Sequence, residues 1–238
     1  MENFTLRFIE KKFVAKDKVA FVFDAKGSGF AFEAGQYAYF TLSSAKFDDD
    51  KGHSRPLSIA NAPSPDDRLM IVVREGTSAF AQNLMALEAN DEVIVSEALG
   101  GMKLPEDRTT PVVIIAGGTG ISPVRSIVED QINKSSDRNI LLIYANNSPA
   151  ESAFINDFRN WEKLCSGLRF VPVFDDAKDA EGFFEEGFIT SDIMKKHIMN
   201  FGENCYYLFG PPPMVESLKK ILESSGVESD RIFSEQSG

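Results

Sequence analysis

Up to about residue 97, apolar and polar positions alternate in short Phe- and Val-rich runs separated by turn residues, at 19–23, 37–42, 57–60, 69–74 and 93–96. A period of two with frequent punctuation predicts the strands of an antiparallel barrel or sandwich. One helix is expected among them, over 79–87, where Phe80, Leu84 and Leu87 recur at helical spacing. Beyond residues 105–110 the pattern changes to buried strand, turn and amphipathic helix in repetition. Strands are predicted at 112–116, 140–144, 170–174 and 206–209, with a last one around Ile232, and helices at 123–132, 149–161 and 212–224. Strands alternating with helices imply a doubly wound parallel sheet. The chain therefore divides near residue 108 into an antiparallel β-barrel domain, 1–108, and an α/β doubly wound domain, 109–238. The acidic stretch 175–186 reads as a solvated connection, and no repeat or low-complexity tract is present.

Composition narrows the chemistry. With 238 residues the chain has room for two domains, and 43% hydrophobic with 26% charged residues is ordinary for a globular protein. The apolar run 112–116 is far short of a membrane span, and residues 1–8 lack a basic start leading into an apolar run, so a cytoplasmic protein without leader or span is expected. Two cysteines, Cys165 and Cys205, are too few for a disulfide framework, a four-cysteine zinc site or an iron–sulfur cluster. The formal net charge of −11 argues against nonspecific nucleic-acid binding and against attraction to anionic membranes.

Gly117-Gly118-Thr119-Gly120-Ile121-Ser122-Pro123 follows a predicted buried strand and opens a predicted helix, the setting in which a Gly-rich turn binds a dinucleotide. Glycines let backbone approach a pyrophosphate and leave N–H groups free at the helix start. Ser122 is expected to cap, and Pro123 to take the first helical position. Arg125 opposes the helix dipole in the first turn unless an anion sits nearby, which points to a phosphate. Pro123 stands where the usual fingerprint has its third glycine, so a pyridine-nucleotide fold other than the standard Rossmann dehydrogenase is favoured. A second strand-to-helix turn is Phe209-Gly210-Pro211-Pro212-Pro213-Met214, whose prolines remove donors and suit a rigid wall for a flat ring. Either turn taken alone can equally be a tight connection without a ligand.

Arg55-Pro56-Leu57-Ser58-Ile59-Ala60-Asn61 completes the set. Together with Gly76-Thr77-Ser78, Gly117 to Pro123 and Gly210 to Met214, its order and spacing resemble the ferredoxin–NADP reductase family across essentially the whole chain. The resemblance implies an N-terminal FAD barrel and a C-terminal NAD(P)H domain, with FAD bound and NADH or NADPH as substrate. It implies that Arg55 binds the flavin pyrophosphate, assisted by the amides after Gly76-Thr77-Ser78. Pro56, Leu57 and Val73 would then lie along the flavin, and Ser58 would hydrogen-bond near its N5. Gly118, Thr119, Gly120, Ser122, Pro123, Gly210, Pro211, Pro212 and Met214 would take the nicotinamide nucleotide. Hydride passes from nicotinamide C4 to flavin N5 across roughly 3–3.5 Å, and no metal is required.

Three positions depart from the family pattern. Leu57 stands where a stacking Tyr is usual, so flavin is expected to be held less tightly. Phe209 stands where the family often has a Cys facing the nicotinamide, while Cys205 reads as a buried strand-end thiol, so no thiol is assigned to catalysis. The C-terminal Glu235-Gln236-Ser237-Gly238 supplies the carboxylate proposed to assist transfer, but Ser237 replaces a shielding ring. Asn146 and Asn147, with no Lys or Arg in 144–151, lean towards NADH; Ser148 and Glu151 also fit a capping box.

The acceptor stays open: a redox protein or partner subunit, a free flavin or ferric ion, or none if the chain is a non-catalytic flavin-binding subunit. The intact Gly turn weighs against the last. Residues 1–108 carry 13 basic and 17 acidic side chains and residues 109–238 carry 12 and 19, which disfavours an acidic protein acceptor. Lys11, Lys12, Lys16, Lys18 and Lys26 form the one obvious basic cluster, and read more simply as solvated strand edges.

Overall fold

The computed structural model describes residues 2–43 and 46–236. The first half is a six-stranded antiparallel sheet in the order β4-β3-β6-β1-β2-β5, from β1 (Asn3–Ala15), β2 (Lys18–Asp24), β3 (Tyr37–Thr41), β4 (Ser54–Ser58), β5 (Arg68–Arg74) and β6 (Glu92–Ser96). A single bridge between Ile59 and Ile71, with Ala60 N–H donating to Met70 O at 2.7 Å, joins the two edges into a barrel. Leu6, Phe8, Phe21, Phe23, Phe40, Leu69, Ile71, Val93 and Val95 alternate inward and fill it. Helix α1 (Ala79–Met85) plugs one end with Phe80 and Leu84.

β1, absent from the sequence-based expectation, is the longest strand. Its inward set Phe4, Leu6, Phe8 is regular, but the pairing with β2 is irregular between Phe8 and Glu10 and again between Phe13 and Ala15. Exposed Glu10, Lys11 and Lys12 then break the period that pattern reading needs. Lys18, read as a solvated edge residue, is only 1% exposed.

The second half is a parallel sheet in the order β10-β9-β8-β7-β11-β12, from β7 (Val112–Gly117), β8 (Ile140–Asn146), β9 (Leu168–Phe174), β10 (Glu185–Glu186), β11 (Cys205–Gly210) and β12 (Ile232–Gln236). Alternation on β7 shows why it is doubly wound. Val112, Ile114 and Ala116 face the core under α2 (Ile121–Asn133) and α3 (Ile155–Leu164), whereas Val113 and Ile115 face that under α4 (Ser191–His197) and α5 (Pro212–Ser224). The expected helix 149–161 is split: a 3₁₀ turn Pro149–Glu151 precedes α3, with Phe154 left-handed between them at φ 61°. Within the acidic loop Glu185 and Glu186 pair with Val173 and Phe174, and α4, too short to show a period, follows it. Among the described residues no helix is long and apolar enough to cross a membrane.

Polar contacts fasten the two sheets together. Ser126 Oγ donates to Asn61 O at 2.7 Å, and Ala62 N–H donates to Glu129 Oε2 at 2.7 Å. Lys16 N–H reaches Ala150 O at 2.8 Å, and buried Lys18 Nζ reaches Glu151 O at 2.7 Å.

Candidate active site

The two glycine-bearing turns lie against each other at the carboxyl edge of the parallel sheet, where open α/β folds bind ligands. β7 ends at Gly117, and Gly118, at φ +57°, turns the chain into a 3₁₀ turn that runs on into α2. A Cβ at Gly120 would lie 2.8 Å from the Phe209 carbonyl carbon and oxygen and 2.9 Å from Gly210 N. Only glycine lets α2 begin this close to the end of β11. Met214 Sδ rests on Gly117, and Tyr144 Oη donates to Gly118 O at 3.2 Å, its ionisation pushed strongly up by burial.

Two sequence expectations fail here. Helix α2 begins at Ile121 with Gly120 as its cap, so Ser122 lies inside the first turn and caps nothing, and Pro123 is the third helical residue. Arg125 needs no bound anion: its guanidinium meets Asp157 at 3.0 Å and Glu129 at 3.1 Å, donates to Ala60 O at 2.9 Å, and packs on the Phe154 and Trp161 rings. Glu129, one turn further along α2, and Asp157, distant in sequence, supply the negative charge that the helix start was expected to draw from a phosphate.

One cleft of about 500 Å³ opens beside the turns, within the size range of cofactor sites. Gly117, Gly118, Pro211, Pro213 and Met214 form one wall, and Asn146, Asn147 and Phe188 lie around it. Asn147 Nδ2 donates to Glu151 Oε2 at 2.9 Å, in place of the expected Ser148–Glu151 capping box, since Ser148 makes no side-chain cap bond. Asn146 Nδ2 is buried without a protein partner. Lys18 and Arg74 reach this cleft from the barrel, which the stretch 144–151 could not reveal. Both are paired with Asp17, at 3.1 and 3.2 Å. Partial burial pushes the Asp17 carboxyl up, but the Lys18 hydrogen bond and the Lys18 and Arg74 charges hold it below its ordinary value.

A second cleft, of about 430 Å³, lies between barrel and sheet. Pro56, Leu57 and Ser58 line it from β4, Tyr37 and Tyr39 from β3, Thr119 and Ser122 from the Gly-rich turn, and Glu235 from β12. Burial pushes the Glu235 carboxyl up, opposed by a hydrogen bond from Ser58. Ser122 Oγ is buried here with no partner. Sequence reading missed Tyr37, Tyr39, Gly100 and Gly101 in this cleft. Their signal was available: Tyr-x-Tyr on a strand puts both rings on one face. At Gly100 a Cβ would lie 2.7 Å from Tyr37 Cε1.

Arg55, Val73, Gly76, Thr77 and Ser78 line neither cleft, and neither do Gly120, Pro123, Gly210 and Pro212. Val73 packs against the barrel core. Ser78 caps α1, accepting from Ala81 N–H at 3.3 Å. Arg55 lies over the Phe80 ring, its Nη1 donating to Lys51 O, Gly52 O and Ser54 O at 2.8–2.9 Å, and its Nη2 pairs with Asp49 Oδ1 at 3.2 Å. Cys205 is half-buried at the start of β11, and burial pushes its thiol up.

Residues 114–220 match the family model described as "Oxidoreductase NAD-binding domain". Among curated proteins, "Terephthalate 1,2-dioxygenase, reductase component 2" of Comamonas is 26% identical over 82% of this chain and 56% of its own length. The crystal structure of an Amycolatopsis cytochrome P450 reductase superposes with a TM-score of 0.84 at 27% identity, covering 99% of this chain and 69% of that one. The chain is similar to flavoprotein oxidoreductases of the ferredoxin–NADP reductase type. A Neisseria gonorrhoeae ferredoxin NADP⁺ reductase with bound FAD and NADP shares the fold, with a TM-score of 0.80, 18% identity and 99% of each chain covered. The chain spans little more than half the length of the dioxygenase reductase component.

Proposed function

We propose that the chain is an FAD-dependent oxidoreductase that takes a hydride from NAD(P)H and passes electrons to a redox protein or partner subunit, as its relatives named reductase components suggest. One observation carries the reading: a single turn, Gly117 to Ser122, walls both clefts, so a dinucleotide in the first can extend its ring into the second. The residues fit the two groups. Tyr37, Tyr39 and Leu57 offer flat or apolar walls to an isoalloxazine, and the buried, unpartnered Ser122 Oγ and Asn146 Nδ2 each await a polar ligand atom.

Bound flavin supplies hydride acceptance and release of electrons singly or in pairs. The chain's residues orient and exclude. Ser58, lining the second cleft, would present a hydroxyl to a flavin held there. Glu235, held by burial in a state that takes up a proton readily, stores or delivers one at the same place. The stacked turns fix the distance between donor and acceptor. Within this reading residues 1–108 carry the flavin and 109–238 the nicotinamide nucleotide, and the protein works in the cytoplasm. NADH is the preferred donor: Asp17 holds Lys18 and Arg74 and offsets one of their two charges, and Glu151 and Asp175 in the first cleft outweigh the remainder and oppose a 2′-phosphate.

A second reading, a reductase that uses flavin as a substrate, is favoured by Leu57 in place of a stacking ring and by the internal engagement of Arg55. Anaerobic NADH should bleach the yellow FAD-loaded chain within a turnover. A chain that takes up no flavin, or whose colour persists under both NADH and NADPH, overturns both readings. Flavin co-eluting with protein in gel filtration supports the first reading, and flavin lost there supports the second.

A further inference from the structure

Arg55 is the cation that the family resemblance assigns to the flavin phosphates, and both of its terminal nitrogens already have protein partners. Nη1 serves three carbonyls of residues 51–54, and Nη2 is turned to Asp49. The partner is firmly placed. Asn83, 5% exposed, accepts from Lys46 N–H at 2.7 Å and Phe47 N–H at 3.0 Å, and its Nδ2 donates back to Phe47 O at 2.8 Å. This ties the loop that carries Asp49 onto α1. Within the loop Lys51 N–H donates to Asp49 Oδ1 at 2.9 Å, and Gly52 N–H to Asp49 O at 3.1 Å. Partial desolvation pushes the Asp49 carboxyl up, but the Lys51 amide, the Arg55 charge and the Ala79 amide together hold it below its ordinary value. The carboxylate thus faces the guanidinium that the family resemblance offers to a pyrophosphate.

We infer that Asp49 is a built-in competitor for the flavin phosphates, displaced when a flavin nucleotide binds at Arg55, and that it sets how easily that flavin exchanges. This rests on the flavin-binding reading above. The Asp49 carboxylate and a phosphate carry the same sign of charge and compete for one guanidinium, so a phosphate oxygen takes the Nη2 donor that now faces Asp49 Oδ1 only when Asp49 moves aside. Riboflavin carries the same ring and no phosphate, so its binding does not depend on that exchange.

The test is a fluorescence titration of the flavin-free full-length chain with FAD and, separately, with riboflavin, for wild type, Asp49→Asn, Asp49→Ala, Arg55→Ala and the Asp49→Asn/Arg55→Ala double variant. Both Asp49 variants should tighten FAD about 3- to 10-fold and leave riboflavin unchanged. In the Arg55→Ala background, Asp49→Asn should have no further effect on FAD. Wild type that binds FAD no more weakly than Asp49→Asn and Asp49→Ala, or a gain shared equally by riboflavin, overturns the inference and leaves the proposed function standing. Failure of every form to bind either flavin overturns the proposed function and the inference with it. Far-UV circular dichroism on each variant separates a lost competitor from a lost fold.

Discussion

Gly120→Ala tests whether the two turns are held rigidly enough to set the distance between nucleotide and flavin. An added Cβ would lie 2.8 Å from the Phe209 carbonyl atoms, whereas ordinary contact begins at 3.4 Å, so the start of α2 must back away from the end of β11 by roughly 0.6 Å. The clashing atoms are backbone, and no side-chain rotation relieves them. Overpacking of this kind costs about 1–3 kcal/mol. For a chain of this size, each kcal/mol lowers Tm by about 2–4 °C. The larger effect falls on geometry. A displacement approaching 1 Å between reacting groups costs up to about 100-fold in rate, so NADH reduction of bound flavin should slow about 10- to 100-fold while the affinity for FAD is unchanged. Anaerobic stopped-flow absorbance reads the rate, and a thermal melt reads the stability. Gly226→Ala is the matched control. It puts a side chain at a left-handed position, φ +84°, with open space around it, so it costs about 1–2 kcal/mol without moving either cleft. If Gly120→Ala reduces flavin at the wild-type rate, or if Gly226→Ala slows it as much, the stacked-turn argument is wrong.

Glu235→Gln should raise stability at neutral pH: a carboxyl whose folded pKa lies above the ordinary 4.5 loses stability as pH rises through that window, and the amide does not. Melts of both proteins should coincide below pH 4.5 and separate above it, and NADH-driven turnover should fall about 100-fold if this carboxyl handles a proton. Arg125→Leu leaves Asp157, Glu129 and the Ala60 carbonyl without their shared, 11% exposed guanidinium. It should cost about 2–4 kcal/mol in urea unfolding, and Arg125→Lys, lacking the fork, should recover less than half. Asp17→Asn frees Lys18 and Arg74 beside the first cleft. It should raise kcat/KM for NADPH about 10-fold relative to NADH, and an unchanged ratio would remove these two cations from nucleotide choice.

What the sequence made legible was whatever is local. β7 with its turn and α2, and β11 with its proline turn and α5, read directly because period, glycine and proline all act within a few residues. Barrel strands that are short apolar runs bounded by charged residues, such as β2 and β5, were equally plain. β1 was hidden because two pairing irregularities and a run of charges interrupt its alternation. Arg125 and Lys18 were misread for a shared reason: besides the local carboxylates Glu129 and Asp17, each has a partner far along the chain, Asp157 and the Glu151 carbonyl, and a residue type does not announce a distant partner. Of the candidate site, the residues on the turns and on β4 were visible as motifs. Tyr37 and Tyr39 were legible as Tyr-x-Tyr on a predicted strand but were overlooked, whereas Arg74 and Asp49 entered only when the barrel brought separate strands and a loop together.

The pinning of 149–151 by Lys16 and Lys18 has an evolutionary corollary. On the proposed function, discrimination between the two nicotinamide nucleotides would be distributed over both halves, since Asn146, Asn147 and Glu151 come from one and Asp17, Lys18 and Arg74 from the other. A chimera that grafts a phosphate-selective C-terminal half onto this barrel would therefore inherit a resident ion cluster tuned for a different ligand. Recombination at the junction would have to bring the β1–β2 corner along for its coenzyme taste to follow.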